Sequence, residues 1–446
     1  MPTTPRAARR VPASAEVVAL GRRHGLDAVG VAPATVFATT RRHLEGRKAA
    51  GLHGGMRFTY LRPERSCDPA AALPGARALV VAARGYRRAA GSDGGTDAGT
   101  TGTSGTGDTG VTGDTDGTSR TGDAGDRGDA GHDAGADGAA GRRPASDGPS
   151  GGRAAAPVGR VARYAWDDHY GPLRDALGEV ARALKAEGWR ARVLADDNAL
   201  VDREAAYRAG LGWYGKNANL LLPGQGSWFV LGSVVTDAPL TPTGRRVDDG
   251  CGTCTRCLDG CPTGAIVAPG VVDARRCLAW LLQVEGPFPR EHRAALGDRL
   301  YGCDDCQEVC PPNRRRERRG AAAPAGEGAE PTVDLLDLLD AGDDELLDRH
   351  GRWYVPRRQA RYLRRNALVV LGNVADPGDG RVVAALRRAL ADDDGLVRAH
   401  AVWAARRLGR DDLLGGAGDP GGSGLGGADD PDPLVRDELT APVEPR

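Results

Sequence analysis

Eight of the nine cysteines lie between residues 251 and 310 and repeat one spacing rule twice. The first run has the pattern C-x2-C-x2-C-x3-C-P, and a second, shorter run also ends in Cys-Pro. This is the signature of bacterial ferredoxins, in which cysteine thiolates bind iron-sulfur clusters. The eight residues are Cys251, Cys254, Cys257, Cys261, Cys277, Cys303, Cys306 and Cys310.

The same signature predicts which cysteines share a cluster, because the fourth cysteine of a run binds the other cluster. One predicted set is Cys251, Cys254, Cys257 and Cys310. The other predicted set is Cys277, Cys303, Cys306 and Cys261. Two sites of four thiolates leave no cysteine of this stretch unused. We therefore expect two 4Fe-4S clusters, which carry electrons one at a time, and a protein that does redox chemistry.

Two other uses of these eight cysteines remain alternatives. Structural zinc also takes four thiolates in tetrahedral geometry, although zinc knuckles call for neither the third cysteine of the run nor the trailing proline. Four disulfides would suit an oxidising compartment, but the N-terminus supplies no apolar core of a secretory signal. The ninth cysteine, Cys67, is expected to be a small buried side chain rather than a ligand.

Composition bounds the compartment and leaves the partner open. The chain has 446 residues, with 60 Lys and Arg against 60 Asp and Glu, so a strong global field is excluded while local basic patches remain possible. No apolar run approaches the roughly 18 residues that span a bilayer, which predicts a soluble, cytoplasmic protein with no membrane partner. A reducing cytosol also suits thiolates and oxygen-sensitive clusters.

The elements that precede the cysteines alternate between strand and helix. The predicted strands are 28–32, 77–83, 191–195 and 227–235, the last of them central. The predicted helices are 14–24, 35–50, 172–187 and 202–209. This alternation indicates an α/β or α+β domain. Asp196 and Asp197 directly follow one strand, where an aspartate by itself most often serves a turn or a helix cap.

Three segments are predicted to be disordered. Residues 91–156 consist largely of Gly, Asp, Thr, Ala and Ser and contain no Leu, Ile, Met, Phe, Trp or Tyr. Such a segment buries too little apolar area to offset chain entropy, so we expect an insertion without a function of its own. The Pro, Arg and Ala rich residues 1–13 and the Gly, Asp and Pro rich residues 414–446 should also be disordered.

Residues 332–413 are predicted to be helical. Two segments, beginning Arg365-Asn-Ala-Leu and Arg398-Ala-His-Ala, recur at a spacing of 33 residues, which is typical of paired helices in a HEAT-like repeat. Residues 314–319 and 352–365 are rich in arginine, and the second stretch also contains aromatics. Such surfaces suit phosphate contact and stacking on an unpaired RNA base, although a solvated basic helix face remains the alternative.

The combination of motifs resembles the epoxyqueuosine reductase family over nearly all of the chain outside the insertion and the two tails. The motifs are Asp202-Arg203-Glu-Ala-Ala-Tyr-Arg-Ala-Gly-Leu-Gly-Trp213, Lys216-Asn217, Cys257-Leu-Asp-Gly-Cys-Pro-Thr-Gly-Ala-Ile266, Asp273-Ala-Arg-Arg-Cys277 and Arg299-Leu-Tyr-Gly-Cys-Asp-Asp-Cys306. Many families share the ferredoxin spacing, whereas its combination with the Ala-Gly-Leu-Gly-Trp and Tyr-Gly-Cys-Asp-Asp-Cys motifs is specific.

The resemblance implies reduction of epoxyqueuosine to queuosine at the wobble position of tRNA, the last step of queuosine biosynthesis. The epoxide oxygen leaves as water and an alkene remains, which requires two electrons and two protons. Electrons are then expected to pass from an external donor through the 4Fe-4S clusters to cobalamin in the N-terminal domain. We expect a monomer whose partner is tRNA carrying epoxyqueuosine in the anticodon.

The resemblance also implies site residues. The family's proton donor is an aspartate six residues before an acidic-Arg pair and fourteen before the glycine of Ala-Gly-Leu-Gly, a register that falls on Asp196. Desolvation beside a cofactor favours the neutral form that a general acid needs, and Asp197, a departure from the family, adds a like charge with the same effect. Arg65, Arg203 and Lys216 are expected, with Asp196, to contact cobalamin, although each is otherwise an ordinary surface charge.

The predicted fold is therefore α+β, with an N-terminal α/β cobalamin-binding domain, a ferredoxin-like two-cluster domain and a C-terminal HEAT-like helical repeat. The predicted segments are a disordered N-terminus (1–13), the catalytic domain (14–250) with its insertion (91–156), the two-cluster domain (251–320), a linker (321–331), the helical domain (332–413) and a disordered tail (414–446).

Two other functions share parts of this pattern. A cobalamin-dependent reductase of a small molecule, such as a reductive dehalogenase, would not need a basic helical arm, and tRNA affinity unchanged by charge reversal at Arg364 and Arg365 would favour it. A plain electron carrier would need neither the N-terminal half nor cobalamin.

Overall fold

A four-stranded antiparallel sheet forms the core of the N-terminal half in the computed structural model, which describes residues 9–86, 155–318, 329–414 and 426–443. The strands in chain order are β1 (Ala28–Pro33), β2 (Ala78–Gly85), β3 (Val158–Val161), β4 (Ala191–Ala195), β5 (Trp213–Tyr214), β6 (Leu220–Leu221), β7 (Phe229–Thr236), β8 (Ile266–Ala268), β9 (Val271–Val272), β10 (Arg299–Tyr301) and β11 (Thr332–Asp334).

The helices connect these strands and make up most of the C-terminal part. In chain order they are α1 (Ser14–Arg23), α2 (Ala38–Ala49), α3 (Pro63–Ser66), α4 (Pro69–Ala72), α5 (Tyr170–Ala186), α6 (Asp202–Arg208), α7 (Arg256–Asp259), α8 (Leu278–Leu281), α9 (Arg290–Leu296), α10 (Asp305–Glu308), α11 (Pro311–Arg318), α12 (Leu335–Asp340), α13 (Asp343–Arg349), α14 (Arg361–Val374), α15 (Gly380–Leu390), α16 (Gly395–Arg407) and α17 (Pro433–Thr440).

The large sheet is buried on both faces. Its strand order is β1-β2-β7-β4, so β7 is central, as predicted. Along β2, Val80 packs with residues of α1 and α5, whereas Leu79 and Val81 pack with residues of α2 and α6. Side chains of a strand point alternately to opposite faces, so both sets must be apolar when helices cover both faces. This is why β2 and β7 are apolar along nearly their whole length.

The strand pairing corrects one part of the predicted fold class. The mixed α+β class is confirmed, but every pairing in the large sheet is antiparallel. The N-terminal part is therefore not an α/β unit with a parallel sheet. Alternation of strands and helices along the sequence does not determine strand direction, and for this reason the sequence pattern suggested α/β.

A second sheet joins strands from all three predicted domains. Strand β3 of the predicted catalytic domain pairs in parallel with β10 and antiparallel with β11. Gly159 permits the close approach, because a Cβ there would stand 2.7 Å from the Cβ of Leu300 and 3.0 Å from Cδ2 of Leu335. Apart from the insertion, the described residues belong to one compact unit, so the three predicted domains share a core element.

The C-terminal helices pack against the segment that carries the cysteines. Helices α14 and α16 lie against each other, and Gly372 lets the ring of Trp403 approach α14, since a Cβ would stand 2.7 Å from that ring. The buried guanidinium of Arg365 fastens α14 to the preceding segment. It donates to the carbonyl oxygens of Leu281, Leu282, Val284 and Gly286.

The contacts of two arginines correct their predicted role. Arg365 is fully buried, and Arg364 donates to the carboxylate of Asp343 and to the carbonyl of Ala341. Neither guanidinium is free to meet RNA, so charge reversal at these positions would test the stability of the fold and not RNA binding. When a helix contains both apolar and charged residues, the local sequence does not show whether a given arginine is buried.

The predicted disordered tail contains an anchored helix. Asp432 caps α17 by accepting from the backbone of Leu434. Buried Asp430 pairs with Arg398 at 2.8 Å, and buried Glu438 pairs with Arg293 at 2.8 Å. The composition of this segment, rich in Gly and Asp, suggested disorder. The ion pairs that order it could not be seen there, because their arginines lie in distant parts of the chain. Residues 415–425 and 444–446 lie outside the described residues.

The other predicted disordered segments are only partly described. Residues 9–13 contradict the prediction, since Arg10 pairs with Glu187 at 3.0 Å and accepts a hydrogen bond on its carbonyl from the indole of Trp189. The insertion at 91–156 lies outside the described residues except for positions 155 and 156, and the linker at 321–331 except for its last three residues. Among the described helices, none has the length and apolar character to cross a membrane.

Truncation of Glu438 should destabilise the helical part, because Glu438→Ala leaves the buried Arg293 guanidinium without its carboxylate. Removal of one partner of a buried ion pair costs about 3–5 kcal/mol. We expect a lower urea midpoint, measured by tryptophan fluorescence. The control Glu345→Ala removes an exposed pair with Arg349, which contributes about 0.5 kcal/mol or less. Equal shifts for both variants would contradict the anchoring role of Glu438.

Candidate active site between the aspartate loop and the cysteines

Asp196 stands at the start of the loop that connects β4 to α6. Its backbone has a φ of +53°, a left-handed conformation that is uncommon outside glycine. Burial raises the pKa of Asp196, the positive charge of Arg174 lowers it, and the charge of Asp197 raises it further. The carboxyl therefore stays protonated to a higher pH than an ordinary aspartate.

The neighbouring Asp197 has a different environment. Its carboxylate accepts a hydrogen bond from the backbone N–H of Ala199 at 2.8 Å, which forms a tight turn, and lies 3.8 Å from the guanidinium of Arg192. Asp197 is thus committed to the turn and to a cation. Of the two aspartates that follow β4, Asp196 is the one without such a partner among the described residues.

Asp202, the first residue of α6, is a second carboxyl in this site. Its Oδ1 is shielded from solvent and has no hydrogen-bond partner in the described residues. Burial raises its pKa well above the ordinary value, and the charge of Asp196 raises it further. Asp202 therefore stays protonated to a higher pH than an ordinary aspartate, and its Oδ1 has no partner within the described residues.

Two tyrosines from different parts of the chain face these carboxyls. Tyr170 begins α5, and burial followed by the charges of Asp196 and Asp202 raises its pKa. Tyr301 ends β10, and burial followed by the charge of Asp196 raises its pKa as well, against a backbone hydrogen bond from Tyr354 that lowers it. Both phenols stay protonated and can only donate or accept hydrogen bonds here.

Sequence reasoning missed these neighbours of Asp196. Asp202 and Tyr301 were recognised only as parts of family motifs, and Tyr170 was not singled out. The available signal was the position of Tyr170, which follows strand β3 and begins an amphipathic helix. Their convergence depends on the pairing of β3 with β10, which no local pattern reveals.

The three predicted cofactor-binding cations lie in different surroundings. Arg203 is exposed, donates to the carbonyl of Ala218 at 3.3 Å, and its charge lowers the pKa of Asp202. Lys216 donates to the carbonyl of Gly252 at 2.7 Å, beside the first cysteines. Arg65 is exposed on the short helix α3. Their role toward a cofactor stays a prediction.

The structure brings the eight cysteines together in two groups. In the first group, burial raises the pKa of Cys310 to about 11, and the neighbouring thiols of Cys251, Cys257 and Cys254 raise it further. In the second group, burial raises the pKa of Cys306 well above the ordinary value, followed by the thiols of Cys303, Cys277 and Cys261. These are the two sets that the crossing rule predicts.

Short loops and single helical turns present these thiols. The turns α7 and α10 pack against each other, and Gly260 permits the contact because a Cβ there would stand 3.0 Å from a methyl of Val309. Asn217 donates to the carbonyl of Cys306 at 3.2 Å, which ties the Lys-Asn motif to the second group. No three His, Cys, Asp or Glu side chains of the described residues are placed to hold a single metal ion.

The second group is the one closer to the carboxyls. Burial raises the pKa of Cys277, and the charge of Arg203, which also acts on Asp202, opposes that rise. Cys303 follows Tyr301 by two residues, and burial raises its pKa to about 12. The charge of Arg203 therefore acts on both this thiol group and the carboxyl of Asp202.

All nine cysteines are free, so the disulfide alternative is wrong. Cys67 is fully buried in the apolar cluster under α2, as predicted, and burial raises the pKa of its thiol to about 11. A buried thiol with a raised pKa is a poor nucleophile. Cys67 is therefore a packing residue.

Comparisons with known proteins agree with this arrangement. Residues 250–313 match the family described as a 4Fe-4S double cluster binding domain, which favours iron-sulfur clusters over zinc. The chain is 39% identical over 253 residues to an epoxyqueuosine reductase of Xanthomonas campestris, covering 56% of this chain and 70% of the relative.

Longer matches extend the likeness to nearly the whole chain. An epoxyqueuosine reductase of Burkholderia pseudomallei is 32% identical over 425 residues, covering 88% of this chain and 91% of the relative. A crystal structure of epoxyqueuosine reductase with an epoxyqueuosine-modified tRNA-Tyr stem loop superposes with a TM-score of 0.71 at 25% identity, covering 95% of this chain and 96% of the other. The chain belongs to the epoxyqueuosine reductase family of enzymes.

Proposed function

We propose that this protein reduces epoxyqueuosine to queuosine in tRNA. The observation that carries the proposal is the position of Asp196, an exposed carboxyl in a left-handed turn whose charge acts on Tyr301, the last residue of the strand that leads into Cys303. This position supports a proton donor on the side of the second cysteine group. The crystal structure of epoxyqueuosine reductase that covers 95% of this chain and contains an epoxyqueuosine-modified tRNA stem loop supports this substrate.

The reaction has a fixed balance of atoms and charges. Both carbon-oxygen bonds of the epoxide break, the oxygen leaves as water, and a carbon-carbon double bond forms. Two electrons and two protons must enter. Eight thiols suit two single-electron carriers, and two carboxyls with raised pKa, Asp196 and Asp202, suit proton supply.

The donor set of each cysteine group fits a 4Fe-4S cluster, which four thiolates hold. We propose Cys251, Cys254, Cys257 and Cys310 as ligands of the first cluster. We propose Cys277, Cys303, Cys306 and Cys261 as ligands of the second. We propose that the first cluster receives electrons from the external donor, since the charge of Arg203, which acts on Asp202, also acts on Cys277 of the second group. The second, which adjoins Arg203 and Tyr301, passes them on toward the carboxyl site.

The residues of the carboxyl site also fit cobalamin, whose periphery carries amides and a phosphate. The unpartnered, shielded Oδ1 of Asp202 requires a polar partner that the described chain does not provide. We propose that Asp196, Arg203, Arg65 and Lys216 contact this cofactor. When bound, cobalamin supplies a low-valent cobalt that can transfer electrons to the substrate carbon. The chain's own contribution is to hold, orient and protonate.

Asp196 donates a proton to the departing oxygen in this proposal. A general acid must be protonated at the working pH, and burial together with the charge of Asp197 raises the pKa of Asp196 in that direction. Asp202, whose pKa burial and Asp196 raise even further, provides a second proton-bearing group beside it. The left-handed backbone at Asp196 is a local strain that fixes where the carboxyl points.

The C-terminal helices complete the proposed organisation. We propose that residues 332–413 form a HEAT-like brace, held to the two-cluster segment by Arg365, and that tRNA lies along exposed arginines of α11. Arg314, Arg315 and Arg318 are exposed there, whereas Arg316 donates to Gln225. We propose that the segments 14–250, 251–320 and 332–413 act together in a monomer, and the sheet that β3, β10 and β11 share supports their acting together.

Loss of a proposed ligand should remove one cluster and leave the other. Cys277→Ala takes one of four thiolates from the second site, so the iron content should fall to about half of that of the wild type. The matched control Cys67→Ala changes a buried cysteine outside both groups and should retain full iron. Iron and sulfide analysis of anaerobically purified protein measures both. Full iron in Cys277→Ala would contradict the ligand assignment.

Replacement of the proton donor should abolish turnover without loss of cofactors. Asp196→Asn keeps the shape of the side chain but has no acidic proton, and positioned general acids contribute about 10²–10⁴-fold to rates. The assay is anaerobic conversion of epoxyqueuosine-containing tRNA with added cobalamin and a chemical reductant, read by mass spectrometry of the nucleosides. A wild-type chain that forms no queuosine would overturn the proposed function, and an undiminished rate in Asp196→Asn would remove only the proton-donor role.

The pH profile should identify Asp196 independently. A proton donor is active below its pKa, so the rate should be constant at low pH and fall as the pH rises through the raised pKa of Asp196. Asp197→Asn removes the like charge that raises this pKa, so the falling limb should move to lower pH while the plateau rate is retained. If the falling limb of Asp197→Asn stayed at the same pH as that of the wild type, a group other than Asp196 would control the pH dependence.

A further inference from the structure

The most exposed large hydrophobic side chain in the described residues is Tyr354, with 61% of its surface accessible. Its flanking residues Trp353 and Val355 are buried at 4% and 7% accessibility. The chain therefore turns a single aromatic ring outward between two anchors. An isolated exposed ring on a fixed backbone is a feature that binding sites use, because little conformational freedom is lost on contact.

The backbone of Tyr354 is held from below. Its N–H donates to the phenol oxygen of Tyr301 at 2.8 Å. Trp353 stacks on the ring of Tyr301 with a centroid separation of 4.5 Å, and its indole N–H donates to the carbonyl of Ala165 at 3.1 Å. His350 stacks on the same indole at 4.2 Å. These contacts fix the backbone at Tyr354, with Trp353 packed inward and the ring of Tyr354 exposed.

This anchor leads to the second cysteine group. Tyr301, which accepts the N–H of Tyr354, ends β10 and precedes Cys303 by two residues. Tyr354 is therefore one hydrogen bond away from the segment that carries the proposed second cluster. A substrate too large to be enclosed at the proposed site would extend past this ring.

The residues that follow Tyr354 add positive charge. Arg357 and Arg358 are exposed and have φ values of +49° and +52°, a conformation that arginine rarely adopts and that concentrates at functional sites. Arg357 pairs with Glu285 at 2.9 Å at the surface. Arg358 makes only long contacts, to the carbonyls of Leu347 and Gly351 at 3.4 and 3.5 Å.

We propose that Tyr354 is a stacking platform for an unpaired base of the anticodon loop next to the nucleotide that is reduced, with Arg357 and Arg358 contacting the adjacent phosphates. The inference rests on the proposed function, since it assigns a position to part of the same RNA. Unpaired RNA bases stack on aromatic side chains, and arginines neutralise the flanking backbone. An exposed ring, two exposed guanidiniums that follow it in the chain, and a hydrogen bond to the strand that leads into Cys303 suit a single strand that passes the proposed site.

The inference can be tested without turnover by measuring the Kd of a fluorescently labelled anticodon stem loop that lacks the epoxide. Loss of one base stack corresponds to a Kd increase of about 10-fold, which we expect for Tyr354→Ala, whereas Tyr354→Phe keeps the ring and should stay within about 2-fold. The matched control Val267→Ala shortens another exposed apolar side chain, 47% accessible, and should leave the Kd unchanged.

Two further readouts separate stacking from charge. A 2-aminopurine in the loop should be quenched on binding to the wild type and to Tyr354→Phe, and remain bright with Tyr354→Ala. Arg358→Ala should reduce the salt dependence of the Kd by about one phosphate contact, whereas Tyr354→Ala should leave that slope unchanged. A wild type that binds and reduces tRNA while Tyr354→Ala binds equally well would overturn the inference and spare the proposed function.

Discussion

The pairing of β3 with β10 and β11 is the constraint on which the site depends. Strand β10 carries Tyr301 and runs into Cys303, while β3 leads through a short segment to Tyr170. One small sheet therefore fixes both a thiol group and two phenols around Asp196. Proton and electron delivery to one substrate require such fixed geometry, because misplacement by about 1 Å can cost about 10²-fold in rate.

Arginine serves two opposite purposes in the C-terminal part. Arg365 and Arg293 are buried, and backbone carbonyls or a carboxylate satisfy them, so that they join α14 and α17 to the cysteine segment. Arg314 and Arg358 are exposed, donate to backbone carbonyl oxygens, and are the arginines proposed for phosphate contact. The same residue type thus builds the brace and the charged surface. Only the three-dimensional partners distinguish the two.

The parts of the site that follow from local spacing could be predicted from the sequence. The cysteine pattern is such a case, since the ferredoxin spacing predicts which thiols lie together, whereas Asp196 after β4 was implied by resemblance to the family; the roles of both stay predictions. Tyr170 and Tyr301 could not be predicted, because their approach to Asp196 depends on strand pairing across more than a hundred residues of sequence.

The errors have a similar cause. Arg365 was predicted on an RNA-binding face and is buried, and the segment around Glu438 was predicted to be disordered and forms α17. In both cases, composition describes a residue's average environment, whereas a buried ion pair or a set of carbonyl acceptors is supplied by a distant segment. These distant partners determine whether a residue is buried or a segment is ordered, and the local sequence does not reveal them.

In the proposed reaction, electrons held by the two cysteine groups reduce the epoxide at the site that Asp196 serves. The most direct measurement is an anaerobic single turnover, in which pre-reduced, cobalamin-loaded protein freed of reductant is mixed with a stem loop carrying epoxyqueuosine. Cluster oxidation by EPR and queuosine by mass spectrometry are read from the same quenched samples. We predict that two electrons leave the reduced centres for each queuosine formed. Queuosine that accumulates while the clusters stay reduced would contradict this claim.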